Sequence, residues 1–276
     1  MSTNMTKAQR RDAARAEALA LQKKQQSSEK RNRLIVLSVL GLAVVGLVVA
    51  VVMILNQGQK TPMERVENVP AGVVQDTGIP VGADGAAGTS NEGAPTLDVY
   101  VDYMCPYCGA FEQVNGGDIE ALREAGDVAL VVHPVAILDR ASLGSEYSTR
   151  AASAAAWVAD RAPEQFSAFH VALFANQPEE NSEGLTDQQI ADIAGQAGVP
   201  AGVAAGIADG DATDTFGQWV EAATGAASAD TSLHNEDGRF TTPTVLVDGE
   251  RFPGWTEPGA LAGAIAGEAP APESSN

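Results

Sequence analysis

The chain of 276 residues has only two cysteines, Cys105 and Cys108, with Pro106 and Tyr107 between them. That spacing allows both to sit on the first turn of one helix. Free amide hydrogens and the positive dipole end at a helix N-terminus stabilise a thiolate, and the thiolate is the form that attacks a disulfide. The chemistry open to such a pair is thiol–disulfide exchange. Two other uses of a cysteine pair fit less well. A structural disulfide between Cys105 and Cys108 would close too small a loop to restrain the unfolded chain much. A zinc site needs about four ligands, and the scattered His133, His170 and His234 offer no second ligand pair, so no metal is expected.

The elements that must position the pair follow from the pattern on either side. Residues 96–103 alternate apolar and polar types and are β-rich, which predicts a strand. Residues 109–124 can be helical, with a break or kink expected at Gly116-Gly117. Residues 128–133 form an apolar run of strand length, ended by Pro134. A strand–helix–strand order implies a parallel, right-handed crossover. A long helical region comes next. Residues 151–160 are alanine-rich, and Phe166, Phe169, Leu173 and Phe174 recur at helical spacing. Thr186 and Gln189 form a capping box, with a possible staple between Leu185 and Ile190. Residues 203–223 read as one or two helices with glycine interruptions. The end returns to β: residues 244–247 and 250–252 flank Asp248-Gly249, a two-residue hairpin signal. A last helix is expected over 257–266.

Charge divides the chain. The first 33 residues hold nine of the 17 Lys/Arg and three of the 36 Asp/Glu, which leaves eight basic and 33 acidic residues in the remainder. So acidic a body argues against nucleic-acid binding. Residues 34–55 are 22 residues without a charge, enough to span a hydrocarbon core of about 30 Å as one helix. The run is too long for a cleavable signal peptide, and no small-x-small site follows it. A single transmembrane helix is expected, with the basic tail held in the cytoplasm and the acidic body outside. Outside the membrane, an isolated cysteine pair can cycle between dithiol and disulfide. Residues 57–95, rich in Gly, Ala, Asn, Thr and Pro, read mostly as a tether, with one extended piece near 78–82.

The pattern resembles the DsbA-like branch of the thioredoxin superfamily. The resemblance rests on Asp102-Tyr103-Met104-Cys105-Pro106-Tyr107-Cys108, the Phe166–Phe174 helix, Thr241-Thr242-Pro243-Thr244-Val245, and the helical insertion between two β parts. It covers roughly residues 80–266. It implies an α/β thioredoxin-like fold with a DsbA-type helical insertion. It also implies that Cys105 is the exposed nucleophile, that Cys108 resolves the mixed disulfide, and that Pro106 and Tyr107 tune the potential. Pro243 matches the family's cis-proline, with Thr242 before it, in a loop whose backbone pairs with extended substrate. The cofactor is then none beyond the Cys105–Cys108 disulfide itself. Two positions depart from the family. Oxidising members typically carry His where Tyr107 stands, and the buried acid often found six residues before the first cysteine is Val99 here. Asp102 is the nearest acid, and its part in proton transfer is open, as is that of His133 beside Pro134. His170, among aromatic residues, reads as a packed helix residue.

The expected organisation is a cytoplasmic tail (1–33), a transmembrane helix (34–55), a linker (56–76), a DsbA-like domain (77–269, with its insertion at about 140–235) and a disordered tail (270–276). The expected function is disulfide formation in exported proteins. The expected partners are their thiols and a membrane reoxidant of the DsbB or vitamin K epoxide reductase type. The tail, single anchor and Ala/Gly-rich acidic body look like those of a high-GC Gram-positive bacterium. The alternatives are a reductase that keeps exported thiols reduced, and a peptide-binding module with an inert disulfide.

Overall fold

The computed structural model describes residues 7–58 and 61–267, divided between two units, Met1–Lys60 and Thr61–Asn276. The expected C-terminal tail (270–276) lies outside the described residues. The first unit is one helix, α1 (Lys7–Gly58). Among the described residues no helix is long and apolar enough to cross a membrane. Within the expected span the described side chains are residues 37–49 and 51, all exposed; the others lie outside the described set.

The second unit is built on a five-stranded sheet in the order β1-β3-β2-β4-β5. Its strands are β1 (Ile79–Val81), β2 (Thr96–Val101), β3 (Ala129–Pro134), β4 (Thr244–Val247) and β5 (Glu250–Arg251). β2 and β3 are parallel, joined by α2 (Pro106–Ala125), as the strand–helix–strand order requires; the other pairs are antiparallel. β4 turns into β5 through Asp248 and Gly249, with φ of 49° and 80°. Positive φ at both centres is the hairpin geometry whose twist matches its strands.

α2 runs unbroken through Gly116-Gly117, where a break was expected. Each glycine costs about 1 kcal/mol relative to alanine, but tertiary anchors flank the pair. Phe111 and Ile119 are buried, and the Asn115 amide, also buried, donates to the carbonyl of Trp255 at 2.9 Å.

Between β3 and β4 stand α3 (Tyr147–Arg161), α4 (Phe166–Ala175), α5 (Asp187–Gln196), α6 (Ala201–Ala208) and α7 (Asp211–Ala229). Alanine dominates the buried face of α3, so neighbouring helices approach closely; Gly206 of α6 lies against the Trp157 ring. The capping box of Thr186 and Gln189 starts α5 as expected. Gly210, at φ 86°, separates α6 from α7. The last helix, α8 (Ala260–Ile265), covers the middle of the expected 257–266.

The stretch before β2 is not the tether its composition suggests, because its backbone finds partners on the domain. The amide of Ala71 donates to Asp160 and the carbonyl of Asp76 accepts from the Trp219 indole. Gly82 and Ala83 accept from the buried Arg123 guanidinium at 2.6 and 2.8 Å.

Candidate active site

β2 delivers the chain to the cysteines, and a polar clamp fixes the turn between them. Asp102, fully buried at the end of β2, accepts from the amide of Met104 (2.9 Å), the hydroxyl of Ser148 (2.7 Å) and the amide of Leu138 (2.9 Å). Burial pushes its carboxyl up to about 6, although those three donors pull the other way. On the other side, the Gln177 amide group donates to the carbonyls of Tyr103 (3.0 Å) and Cys105 (2.9 Å). Gln177 follows α4 directly, so the helical insertion itself holds the turn.

Cys105 is the N-cap of α2, with Pro106 at the first helical position. Proline suits that place because its missing N–H would have no partner there. The two thiols differ sharply. Cys105 lines the mouth of a groove and is 5% exposed, whereas Cys108, one turn on, is sealed. The Cys108 thiol, donating to Cys105, is the main influence that lowers Cys105 to about 7; Thr242 and the amides of Cys108 and Tyr107 assist it against desolvation. Burial, and then the neighbouring Cys105, push Cys108 well above its ordinary value. One thiol is thus primed as a nucleophile near neutral pH, and the other holds its proton.

The peptide bond between Thr242 and Pro243 is cis, as the family pattern implies. This loop faces the pair: the Cys105 thiol donates to the Thr242 carbonyl at 3.3 Å. The Thr242 hydroxyl is buried without a hydrogen-bond partner of its own and favours the thiolate of both sulfurs. The structure therefore brings Cys105, Cys108, Thr242 and Pro243 together. Pro106 and Tyr107 lie on the open side, Tyr107 69% exposed. A groove of about 870 Å³ runs from Cys105 past Tyr107, Phe240, Pro243, Phe252 and Trp255.

His133 is not part of this site. It is buried, stacked on Tyr100 at 4.1 Å, and bound between Asp98 (3.0 Å) and Thr77 (3.2 Å). Its partners tie β3 to β2 and to the segment before β1. His170 is packed as expected, and it also has two hydrogen-bond partners, Tyr103 at 2.9 Å and Glu112 of α2 at 3.1 Å. Val99, where the family often has an acid, is buried in β2. Sequence reasoning missed Gln177, and no local pattern marks it, since its partners are backbone carbonyls more than 70 residues away in sequence.

Two thiols so divided, one activated and one protected, put the molecule in the class of thiol–disulfide oxidoreductases. Comparison with known proteins agrees. A family model described as thioredoxin matches residues 86–266. Among solved structures, MdbA, a thiol-disulfide oxidoreductase from Actinomyces oris, superposes with a TM-score of 0.57 at 26% identity, covering 76% of this chain and 100% of that one. Reduced DsbA from Mycobacterium tuberculosis superposes at 0.54 with 32% identity, covering 69% and 91%. The serine/threonine-protein kinase PknE of M. tuberculosis is 32% identical over 120 residues, 42% of this chain and 21% of the kinase. The chain thus spans about a fifth of the length of the curated relatives it matches. It belongs to the thioredoxin superfamily, in its DsbA-like branch, and is a protein thiol–disulfide oxidoreductase.

Proposed function

We propose that the chain is an extracytoplasmic oxidase that forms disulfides in exported proteins, anchored by residues 34–55. The observation that carries this reading is the depressed pKa of Cys105, about 7, beside a groove. A stabilised thiolate stabilises the reduced protein, and a couple whose reduced form is stabilised is a strong oxidant.

In the reaction, a substrate thiolate attacks Cys105 Sγ of the Cys105–Cys108 disulfide. The new bond joins substrate sulfur to Cys105; the old S–S bond breaks, and its electron pair leaves on Cys108, which takes up a proton. A second substrate thiolate then attacks the first substrate sulfur and releases Cys105. The substrate has lost two electrons and gained a disulfide, and the enzyme carries them as a dithiol. A membrane protein of the DsbB or vitamin K epoxide reductase type then reoxidises it. No cofactor is needed beyond the disulfide. Thr242 and Pro243 hold the extended substrate, and Pro106 and Tyr107 tune the potential.

Tyr107 supplies no positive charge to the thiolate, and this one feature favours a second reading, an extracytoplasmic reductase. The reduction potential of the full-length chain in glutathione buffers separates the two. Oxidases of this kind lie near about −120 mV and thioredoxin near about −270 mV. A value above about −180 mV is expected; one below about −240 mV makes the protein a reductase.

A further inference from the structure

We propose that the groove beside Cys105 selects thiol segments carrying carboxylates next to their cysteine, and that Arg140 and Arg239 make the selection. The proposal rests on the oxidoreductase reading and concerns what enters that site.

The cations of residues 61–267 are seven arginines: Arg65, Arg123, Arg140, Arg150, Arg161, Arg239 and Arg251. Three are engaged elsewhere. Arg123 caps the carbonyls of Gly82 and Ala83, Arg150 pairs with Asp187, and Arg161 lies over Trp157 beside Asp160. Three others, Arg140, Arg239 and Arg251, line the groove, where the sole acid among the lining residues is Glu180. After residue 33 the chain has eight basic and 33 acidic residues. The scarce cations of an acidic body are therefore gathered where the reactive thiol opens.

The three arginines are not equivalent. Arg251 is committed to the Leu233 carbonyl (2.7 Å) and the Thr244 hydroxyl (3.2 Å), and contributes only field. Arg239 is 74% exposed and touches an equally open Asp237 at 3.5 Å, a pair that solvent screens. Arg140 is exposed and makes no hydrogen bond or ion pair among the described residues. Two guanidinium groups are thus available, above an apolar floor that includes Ile137, Phe240 and Phe252. A guanidinium matches a carboxylate in geometry as well as charge, and a cluster of one sign in a cleft steers the opposite sign into it. An extended segment with Asp or Glu beside its cysteine meets both requirements. A body of this net charge otherwise draws cationic segments, so the groove reverses the preference that the surface alone would set.

The test uses the oxidised full-length chain and two single-cysteine peptides, one with Asp and one with Lys on both sides of the cysteine. Quenched mass spectrometry follows the rate at which each opens the Cys105–Cys108 disulfide. Each rate is divided by that peptide's rate with bis(2-hydroxyethyl) disulfide, which removes the difference in intrinsic thiol reactivity. The Asp peptide is expected to lead on the order of tenfold at about 0.02 M salt. The lead is expected to collapse at about 0.5 M, where the screening length falls from about 20 Å to about 4 Å. In R140Q/R239Q the ratio of the two peptides is expected to fall to about one. Equal rates in the wild type, or a Lys lead, overturn the proposal, and a ratio unchanged in R140Q/R239Q overturns the assignment to these arginines. Should the variant fail to fold, the salt series on the wild type decides alone. Dithiothreitol, which is uncharged and peptide-free, reports the redox reading separately. If dithiothreitol does not open the disulfide, the oxidoreductase reading fails; if it does and the peptides do not differ, only the selection fails.

Discussion

The hydroxyl of Thr242 is buried, unpartnered, and beside two sulfurs, so its effect is on their charge. Removing it in Thr242→Val should raise the Cys105 pKa from about 7 by about 0.5–1 unit, on the order of 1 kcal/mol. The ultraviolet absorbance of the thiolate, titrated in the reduced protein, reads this directly; an unmoved titration rules out a part for the hydroxyl. Cys105→Ser should abolish exchange with dithiothreitol while leaving peptide binding to the groove measurable. Asp102 acts through stability. Its folded pKa of about 6 exceeds the usual unfolded value of about 3.9, so the folded state holds that proton more tightly. The associated stability is fully present below about pH 4 and is lost as pH rises through about 6, up to about 3 kcal/mol. Asp102→Asn does not titrate, so it should gain on the wild type by about that amount between pH 4 and pH 7 in urea unfolding. A constant difference across that range would show that the carboxyl does not titrate there.

At the scale of elements, the active-site helix is held by the helical insertion rather than by the sheet alone. Gln177 fastens the turn before α2, and Glu112 reaches His170 on α4. Gly109 makes room for this, because a Cβ there would sit 2.4 Å from Gln177 Oε1. Gly109→Ala should displace the Gln177 side chain, slow thiol exchange several-fold, and leave the far-UV circular dichroism unchanged. Gly206 does similar work between α6 and α3: a Cβ would meet Trp157 at 2.4 Å. Gly206→Ala gains about 1 kcal/mol of helix propensity against about 1–3 kcal/mol of overpacking. A net loss of about 1–2 kcal/mol is expected in urea unfolding, and a stabilised variant would mean that α6 shifts freely.

For the whole molecule the open matter is which side of the membrane the domain faces. Its only thiols are Cys105 and Cys108, so labelling is unambiguous. After reduction, a membrane-impermeant maleimide should label Cys105 on intact cells, and Cys105→Ser should lose that label. Labelling only after lysis would place the domain inside and remove the exported substrates from the proposed function.

The sequence by itself determined the chemistry and most of the frame. A Cys-Pro-Tyr-Cys tetrad between a strand and a helix, a Thr-Pro before a later strand, and a hairpin signal at Asp248-Gly249 are local patterns, and local patterns survive into any fold that uses them. The capping box at Thr186 is legible for the same reason. What the sequence could not convey depends on residues far apart in the chain. The continuity of α2 through two glycines depends on Asn115 reaching Trp255, and the order of residues 61–95 on Arg123, Asp160 and Trp219. The difference between the two thiols also comes from tertiary structure, because burial seals Cys108 while the Thr242 loop, 137 residues on, reaches Cys105. The gathering of Arg140, Arg239 and Arg251 along one groove is of the same kind. Charge along a chain can be counted, but its concentration at one place is decided only when distant loops fold together.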